Sequence, residues 1–495
     1  MITRKTIAFL GLLSALSVIG YLFASYQYSG IGFPLDDSWI HQTYARNLVS
    51  NGEWAFFPGQ PSGGSTAPLW AVILALGNLM GLGPFLWTFT LGWALLWGLS
   101  IISIQFLARL VPAHKNLSIW AGILIIIEWH LVWAAVSGME TLLFALFAMA
   151  IFALLLDLLT EISQTRIQLW FLLGILIGAS AWVRPEGIIM LGFVGLGIFL
   201  INVRMRYKIK IASVVGFGFL LTFGPYLLFN QLIVGDWWPN TFYAKQAEYA
   251  ILRNAPIWLR YLGQFNLLLV GVGALLLPGF AKYVYDSIKS RNWQMLLPAL
   301  WVMAHLGLYA LRLPVTYQHG RYIMPAMPIY FIVGLAGMAS WLQSSSINIG
   351  RRVVSRAWLL SIGLVALSFW WLGATAYARD VAVINSEMVI TANWIVENTS
   401  RDDVIAAHDI GVLGYFTDRK IVDMAGLISP DVISFIRDKS KLAAYLNAKG
   451  VKYLVTFPSF YPEMVLGLKV IFQTDGGISA SMGEENMKVY LWGDP

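Results

Sequence analysis

Apolar runs about twenty residues long recur throughout this chain, and they constrain its fold more than any other feature. Inside hydrocarbon no water is present to satisfy backbone N–H and C=O groups, so each run has to form a helix. Runs at about 7–23, 85–108, 117–136, 140–159, 168–183, 187–202, 210–232, 262–280, 294–311, 325–343 and 357–377 predict an α-helical polytopic membrane protein with about eleven crossings. Only 12% of the 495 residues are charged and 58% are hydrophobic, which excludes a soluble domain of this size. Arg4 and Lys5 precede the first run. Ala24-Ser25-Tyr26-Gln27-Tyr28 after it offers no clean small-residue cleavage site, so the run is read as a retained helix rather than a leader. The stretch from Leu69 to Met80 is also apolar, but as a helix it reaches only ~18 Å, against ~30 Å of hydrocarbon. It is expected to lie along the surface.

The basic residues fix an orientation. With a cytoplasmic N-terminus and a non-crossing 69–80 helix, the inner loops carry Arg109 and Lys115; Arg166; Arg204, Arg206, Lys208 and Lys210; Lys282, Lys289 and Arg291; and Arg351, Arg352 and Arg356. The net charge of +7 is thus a topology signal and not a nucleic-acid footprint. A multi-pass protein of the plasma membrane is expected. Its membrane domain covers 1–379, with a first outer loop at 29–84, and an extracytoplasmic α/β module covers 380–495, where strand-like and helical runs alternate. The absence of cysteine removes disulfides, thiolate metal sites and cysteine nucleophiles.

In this orientation every unusual polar cluster falls on the outer face. Asp36-Asp37 follows Pro34-Leu35 and opens a helical pattern through Ile40, Tyr44 and Leu48, stopped at Asn51-Gly52. One carboxylate suffices to cap a helix, and the second is left free as a base or cation ligand. Asp37 adjoins the helix and is read as the cap, which favours Asp36 as the base. Further along are Glu140, Arg184-Pro185-Glu186, Asp236 to Gln246 with Trp238, Asn240, Tyr243 and Lys245, and His319-Gly320-Arg321-Tyr322. Acids gathered with cations suit a site that deprotonates a hydroxyl and holds a phosphate. Each cluster also has a structural reading: a cap, a snorkelling Arg184, an aromatic belt. Glu128 and His130 lie inside an apolar run, where they either pair or line a cavity. No phosphate-binding glycine loop is present, which removes the usual nucleotide signatures.

The stretch Asp36-Asp37-x-x-Ile40-x-x-x-Tyr44-Ala45-Arg46-Asn47-Leu48 resembles the first outer loop of the GT-C glycosyltransferases. The likeness continues in Phe57-Pro58-Gly59-Gln60, Gly64-Ser65-Thr66-Ala67-Pro68-Leu69-Trp70, Ser137-Gly138-Met139-Glu140-Thr141, Arg184-Pro185-Glu186-Gly187, Pro239-Asn240-Thr241-Phe242-Tyr243-Ala244-Lys245 and His319-Gly320-Arg321-Tyr322. Together these are similar to the branch containing the actinobacterial cell-wall arabinofuranosyltransferase that adds terminal β-(1→2)-arabinofuranose. The resemblance implies a polyprenyl-phosphate sugar donor, a glycan or glycolipid acceptor, an outer-face site and inversion at the anomeric carbon. A mechanism consistent with both the residues and the resemblance expects catalysis by Asp36 and Asp37, donor-phosphate contacts from Arg321, Arg184, Lys245 and His319, and substrate contacts from His41, Tyr44, Glu140, Glu186, Trp238, Asn240, Tyr243 and Tyr322. No cofactor is required by these residues, and a divalent cation at Asp36/Asp37 stays open. From the residues alone, a lipid-linked-sugar transporter and a non-catalytic envelope scaffold also stay open.

Overall fold

The computed structural model describes residues 3–112, 118–160, 166–342, 349–483 and 485–493. Lys115 of the expected basic loops lies outside these residues, as do the side chains of Arg351 and Arg352. Among the described residues seven helices are long and apolar enough to cross a membrane, and nine if each of two bent pairs is one span. The shorter apolar helices Ile167–Ala181 and Pro185–Leu200 fall on the two other expected crossings. Pro68–Leu79 is a separate helix of 12 residues, as its length predicted. It packs on the helix Asp36–Asn51, and Leu69 N–H bonds to the Trp182 carbonyl at 3.1 Å.

Two expected crossings are not straight. The run over 262–280 is instead two helices, Ile257–Leu268 and Val272–Lys289, meeting at 109°. Gly271 turns the corner at φ +70, ψ −130, a backbone conformation that side chains disfavour. Continuous apolarity cannot report such a corner. The run over 117–136 breaks by 56° between Ile127 and Trp129. Glu128 stands at that break and caps the second half through Leu131 N–H (3.1 Å), while its other oxygen pairs with His130 at 2.8 Å. The two buried polar groups are therefore a cap and its partner.

Glycines set the closest helix approach. A Cβ on Gly174 would stand 2.1 Å from the Val215 carbonyl, and one on Gly178 2.1 Å from Thr222 Oγ1. The pair, spaced by four, lets Ile167–Ala181 lie against Met205–Val234.

The last long helix does not stop at the expected domain boundary. Ile349–Val383 runs through a π-turn, Ile384–Val389, into Ile390–Asn398. A mixed sheet follows, in the order Lys420–Asp423, Val404–Ala407, Tyr453–Thr456, Lys488–Leu491, Val470–Gln473. The first three strands are parallel and the last two pair antiparallel. Helix Lys439–Ala448 lies in the sequence between two of them. The strand starting at Val404 therefore opens a small α/β module, and its loops return to the helix that begins at Asp36.

Candidate active site

Helix Asp36–Asn51 begins after extended Leu35 and ends at Gly52 in the left-handed region (φ +69). Its N-cap is Leu35, without a side-chain cap bond, so neither aspartate caps its own helix. The two carboxylates diverge. Asp36 Oδ2 accepts from Gly411 N–H and Oδ1 from Val412 N–H, both at 2.7 Å. It thus caps the module's helix Gly411–Phe416, not its own. Asp37 turns into a narrow pocket of about 80 Å³. There it pairs with Arg321 Nη2 and with Lys245 Nζ, the latter at 3.3 Å. The capping argument that favoured Asp36 as base does not hold: Asp37 is the member that meets the cations.

The pocket is lined by Asp37, His41, Glu140, Arg184, Glu186 and Lys245, with Arg321 and Tyr322 completing its charged wall. Tyr322 hydroxyl accepts from Lys245 Nζ and from Arg321 Nη2, each at 3.1 Å. Arg321 is 2% exposed, yet its Nε and Nη1 have no hydrogen-bond partner among the described residues. A buried guanidinium with two idle donors is costly unless a ligand takes them. Beside it Arg184 Nε bonds Glu140 Oε1 at 2.8 Å, and Nη1 lies 3.5 Å from both Glu186 Oε1 and Tyr309 Oη. His41 Nε2 stands 3.4 Å from Glu140 Oε2, and its Nδ1 bonds Ser65 Oγ at 2.9 Å. Arg184 is therefore a buried strut between two acids rather than a snorkelling chain.

Electrostatics separate the two aspartates. Burial alone would raise Asp37, but Lys245 and Arg321 hold its carboxyl well below the usual range. Burial and the neighbouring Asp409 push Asp36 up to about 8, against the pull of its two amide bonds. Burial also opposes the charge on Glu140, and Arg184 and His41 overcome it, so this acid too stays well below the usual range.

The other expected contacts stand apart from the lining. His319 Nε2 bonds Asp380 Oδ2 at 2.8 Å, and Trp133 Nε1 donates to the same oxygen. Expected at the donor phosphate, His319 instead anchors the last long helix. Its partner lies 61 positions away, beyond the reach of local motif reading. Tyr44 Oη bonds Ser62 Oγ at 2.6 Å and accepts from Gly64 N–H at 2.8 Å, pinning the loop that forms the roof. Trp238 packs among Phe223, Tyr226 and Phe242. Asn240 is buried at the start of the helix that carries Lys245, and Tyr243 donates to exposed Asp236. Tyr44, Trp238, Asn240 and Tyr243 hold the walls in place without lining the pocket.

Two lining residues escaped the sequence. Tyr309, inside an apolar helix, donates to Glu186. Leu427, from the module, closes one side. Its loop is folded around buried Asp423, which accepts from Ala425 and Ile428 N–H at 2.8 and 2.7 Å. No group of three or more His, Asp or Glu side chains among the described residues is arranged to hold a metal. Asp36 is engaged by amides and Asp37 by two cations, so the pair as it stands does not fit a bridging divalent ion.

Comparison with solved structures places this architecture. ArnT from Cupriavidus metallidurans, bound to undecaprenyl phosphate, superposes with a TM-score of 0.63 at 12% identity over 98% of each chain. The oligosaccharyltransferase AglB from Archaeoglobus fulgidus, in complex with an inhibitory peptide and a dolichol-phosphate, gives 0.62 at 13% identity over 92% of this chain and 69% of that one. The mycobacterial arabinofuranosyltransferase AftD gives 0.51 at 14% identity, all of this chain matching 42% of that one. Residues 376–490 match a family described as a domain of unknown function (DUF8728). No curated protein matches the sequence. The chain is a multi-pass membrane protein with the fold of the GT-C glycosyltransferases.

Proposed function

We propose that this protein is an inverting glycosyltransferase that moves a sugar from a polyprenyl-phosphate donor to a hydroxyl of a cell-envelope glycan or glycolipid on the outer face. The observation that carries the reading is Arg321: buried, paired with Asp37 through one nitrogen, and left with two donors facing no partner among the described residues. Each idle N–H of the charged guanidinium is a strong donor that a phosphate oxygen can take. The bound lipid phosphates of ArnT and AglB, on the same fold, support the donor class. Arabinofuranose is the sugar the sequence resemblance implies, and it is the first to test.

The chemistry follows from competition for cations. Without donor, Lys245 and Arg321 neutralise Asp37 and make it a poor base. A phosphate entering beside them brings negative charge that these cations must share, and the Asp37 carboxylate rises toward the range in which it accepts a proton. The acceptor hydroxyl attacks the anomeric carbon and passes its proton to Asp37. The bond from that carbon to the phosphate oxygen breaks, and the lipid phosphate leaves with the electron pair. Arg321 and Lys245 stabilise the charge that develops on it, so the leaving group needs no proton. One displacement inverts the anomeric centre. Asp36, tied to the module, keeps the loop and the pocket in register.

A transporter is disfavoured because the acids and cations gather at one end of the helices rather than midway. The test is transfer in proteoliposomes from synthetic polyprenyl-phosphate sugars, compared with nucleotide sugars. Lipid-dependent transfer is expected, with Asp37→Asn folded and slower by ~10²–10⁴-fold. Transfer from nucleotide sugars alone, or an undiminished Asp37→Asn enzyme, overturns the reading.

A further inference from the structure

A second cleft opens where the module meets the helix Asn240–Glu248. It measures about 500 Å³, and its lining includes Glu248, Tyr249, His408, Arg437, Phe460 and Tyr461. Its composition is unlike that of the pocket. Three aromatic rings stand beside an acid, a histidine and two cations. His408 Nδ1 bonds Tyr461 Oη at 2.8 Å, and its Nε2 lies 3.4 Å from Glu248 Oε1. The second cation, Lys439, places its Nζ 4.2 Å from the centre of the Tyr461 ring. Phe460 is 44% exposed. The exposed Phe460 ring offers an apolar face, with Glu248, Arg437 and Lys439 as hydrogen-bonding groups in the same cleft, and together they match a sugar ring, whose faces are C–H and whose rim is hydroxyl.

The cleft is tied to the pocket by one helix. Asn240–Glu248 carries Lys245 into the pocket and Glu248 into the cleft. Residues three apart share a helix face and differ by ~4.5 Å in rise. A chain of rings runs the same way: Tyr249 meets Tyr317 at 5.6 Å, and Tyr317 meets Tyr322 at 6.4 Å. The module supplies a second link. His408 lines the cleft, Gly411 holds Asp36, and Asp409 lies between them in the chain. The charge on Asp409 is opposed by its burial and by both Asp37 and Glu248, and favoured by His408. Asp409 thus feels the charges of both cavities, Asp37 of the pocket and Glu248 and His408 of the cleft.

We infer that this cleft is the acceptor subsite: it binds a sugar residue of the acceptor glycan and so presents a neighbouring hydroxyl to Asp37. The inference rests on the glycosyltransferase reading for its role, but the binding stands or falls without turnover.

The experiment uses the full chain in detergent, without donor. Purified arabinan, galactan, mannan and uronate-containing oligosaccharides are screened by saturation-transfer NMR. At least one is expected to bind, and Phe460→Ala is expected to weaken it about tenfold. Phe460→Ala should leave the melting temperature and the donor KM unchanged while raising the acceptor KM. Asp409→Asn should weaken acceptor use in the same way. No saccharide bound, or binding indifferent to Phe460→Ala in a stable variant, overturns the proposal. Saccharide binding without transfer from any lipid donor would leave the cleft standing and sink the transferase reading instead.

Discussion

At the residue scale two adjacent aspartates turn to opposite partners, one to backbone amides and one to cations. The sequence singles out the pair at a helix start, but its expectation that one of them caps that helix fails, since neither does. Which way each one turns is not legible there, because their partners lie 208 to 376 positions away, at Lys245, Arg321, Gly411 and Val412. The cations are legible for the opposite reason: a charge at the end of an apolar run is expensive and stands out. Arg321→Ala is expected to raise the donor KM and lower kcat, because its grip tightens as phosphate leaves. Arg321→Lys should restore only part, since an ammonium cannot reproduce two fixed N–H vectors; steady-state transfer kinetics check both. Asp36 gives a pH signature. Its folded value near 8 exceeds the ~3.9 of an unfolded aspartate. Between those values the folded state keeps a proton that the unfolded state has released, so its contribution to stability falls as pH rises from about 4 to about 8. Asp36→Asn is expected to flatten that fall in thermal unfolding measured from pH 5 to pH 8. It should also lower stability at the acid end by ~1–3 kcal/mol, because an amide NH₂ faces one of the two N–H donors.

Among elements, the long apolar helices are the easiest to read and their corners the hardest. Hydropathy reports immersion and is silent about direction, so the 109° turn at Gly271 and the break at Glu128 read as continuous spans. Composition changes near residue 380, yet the helix continues to Asn398. Its π-turn seats Glu387, which is fully buried and accepts from Met487 N–H at 2.9 Å and from the Thr474 hydroxyl. The helix therefore enters the module's interior and docks there. Helix contact also carries a prediction. Gly174→Leu forces a side chain into the Val215 carbonyl and is expected to cost ~1–3 kcal/mol or more, seen as a lower melting temperature in detergent. Gly195→Leu, where a Cβ meets nothing within 4 Å, is the control and should melt like the parent.

The whole molecule is polarised. The acids and cations of the pocket collect at one end of the helices. Arg109 pairs with Asp157 at 2.5 Å, near the far end of the helix Thr141–Thr160 that starts beside Glu140 of the pocket. The positive-inside rule then predicts that reporter fusions after Arg206 and after Arg352 read cytoplasmic, and that fusions after Gly59 or within the module read external. A cytoplasmic module would overturn the eleven-span arrangement. The clamp between Asp36 and the Gly411 and Val412 amides has one more consequence, which concerns time. Its two halves are separated by 375 and 376 positions, so a ribosome that has made the aspartate loop has still to make nearly the whole membrane domain before the loop's partner exists. During that interval Asp36 has no amides to hold it, and Leu427 is not there to close the pocket. A late-made part of the chain thus completes a pocket that an early one began, and a chain released in between is left with its aspartate loop unanchored.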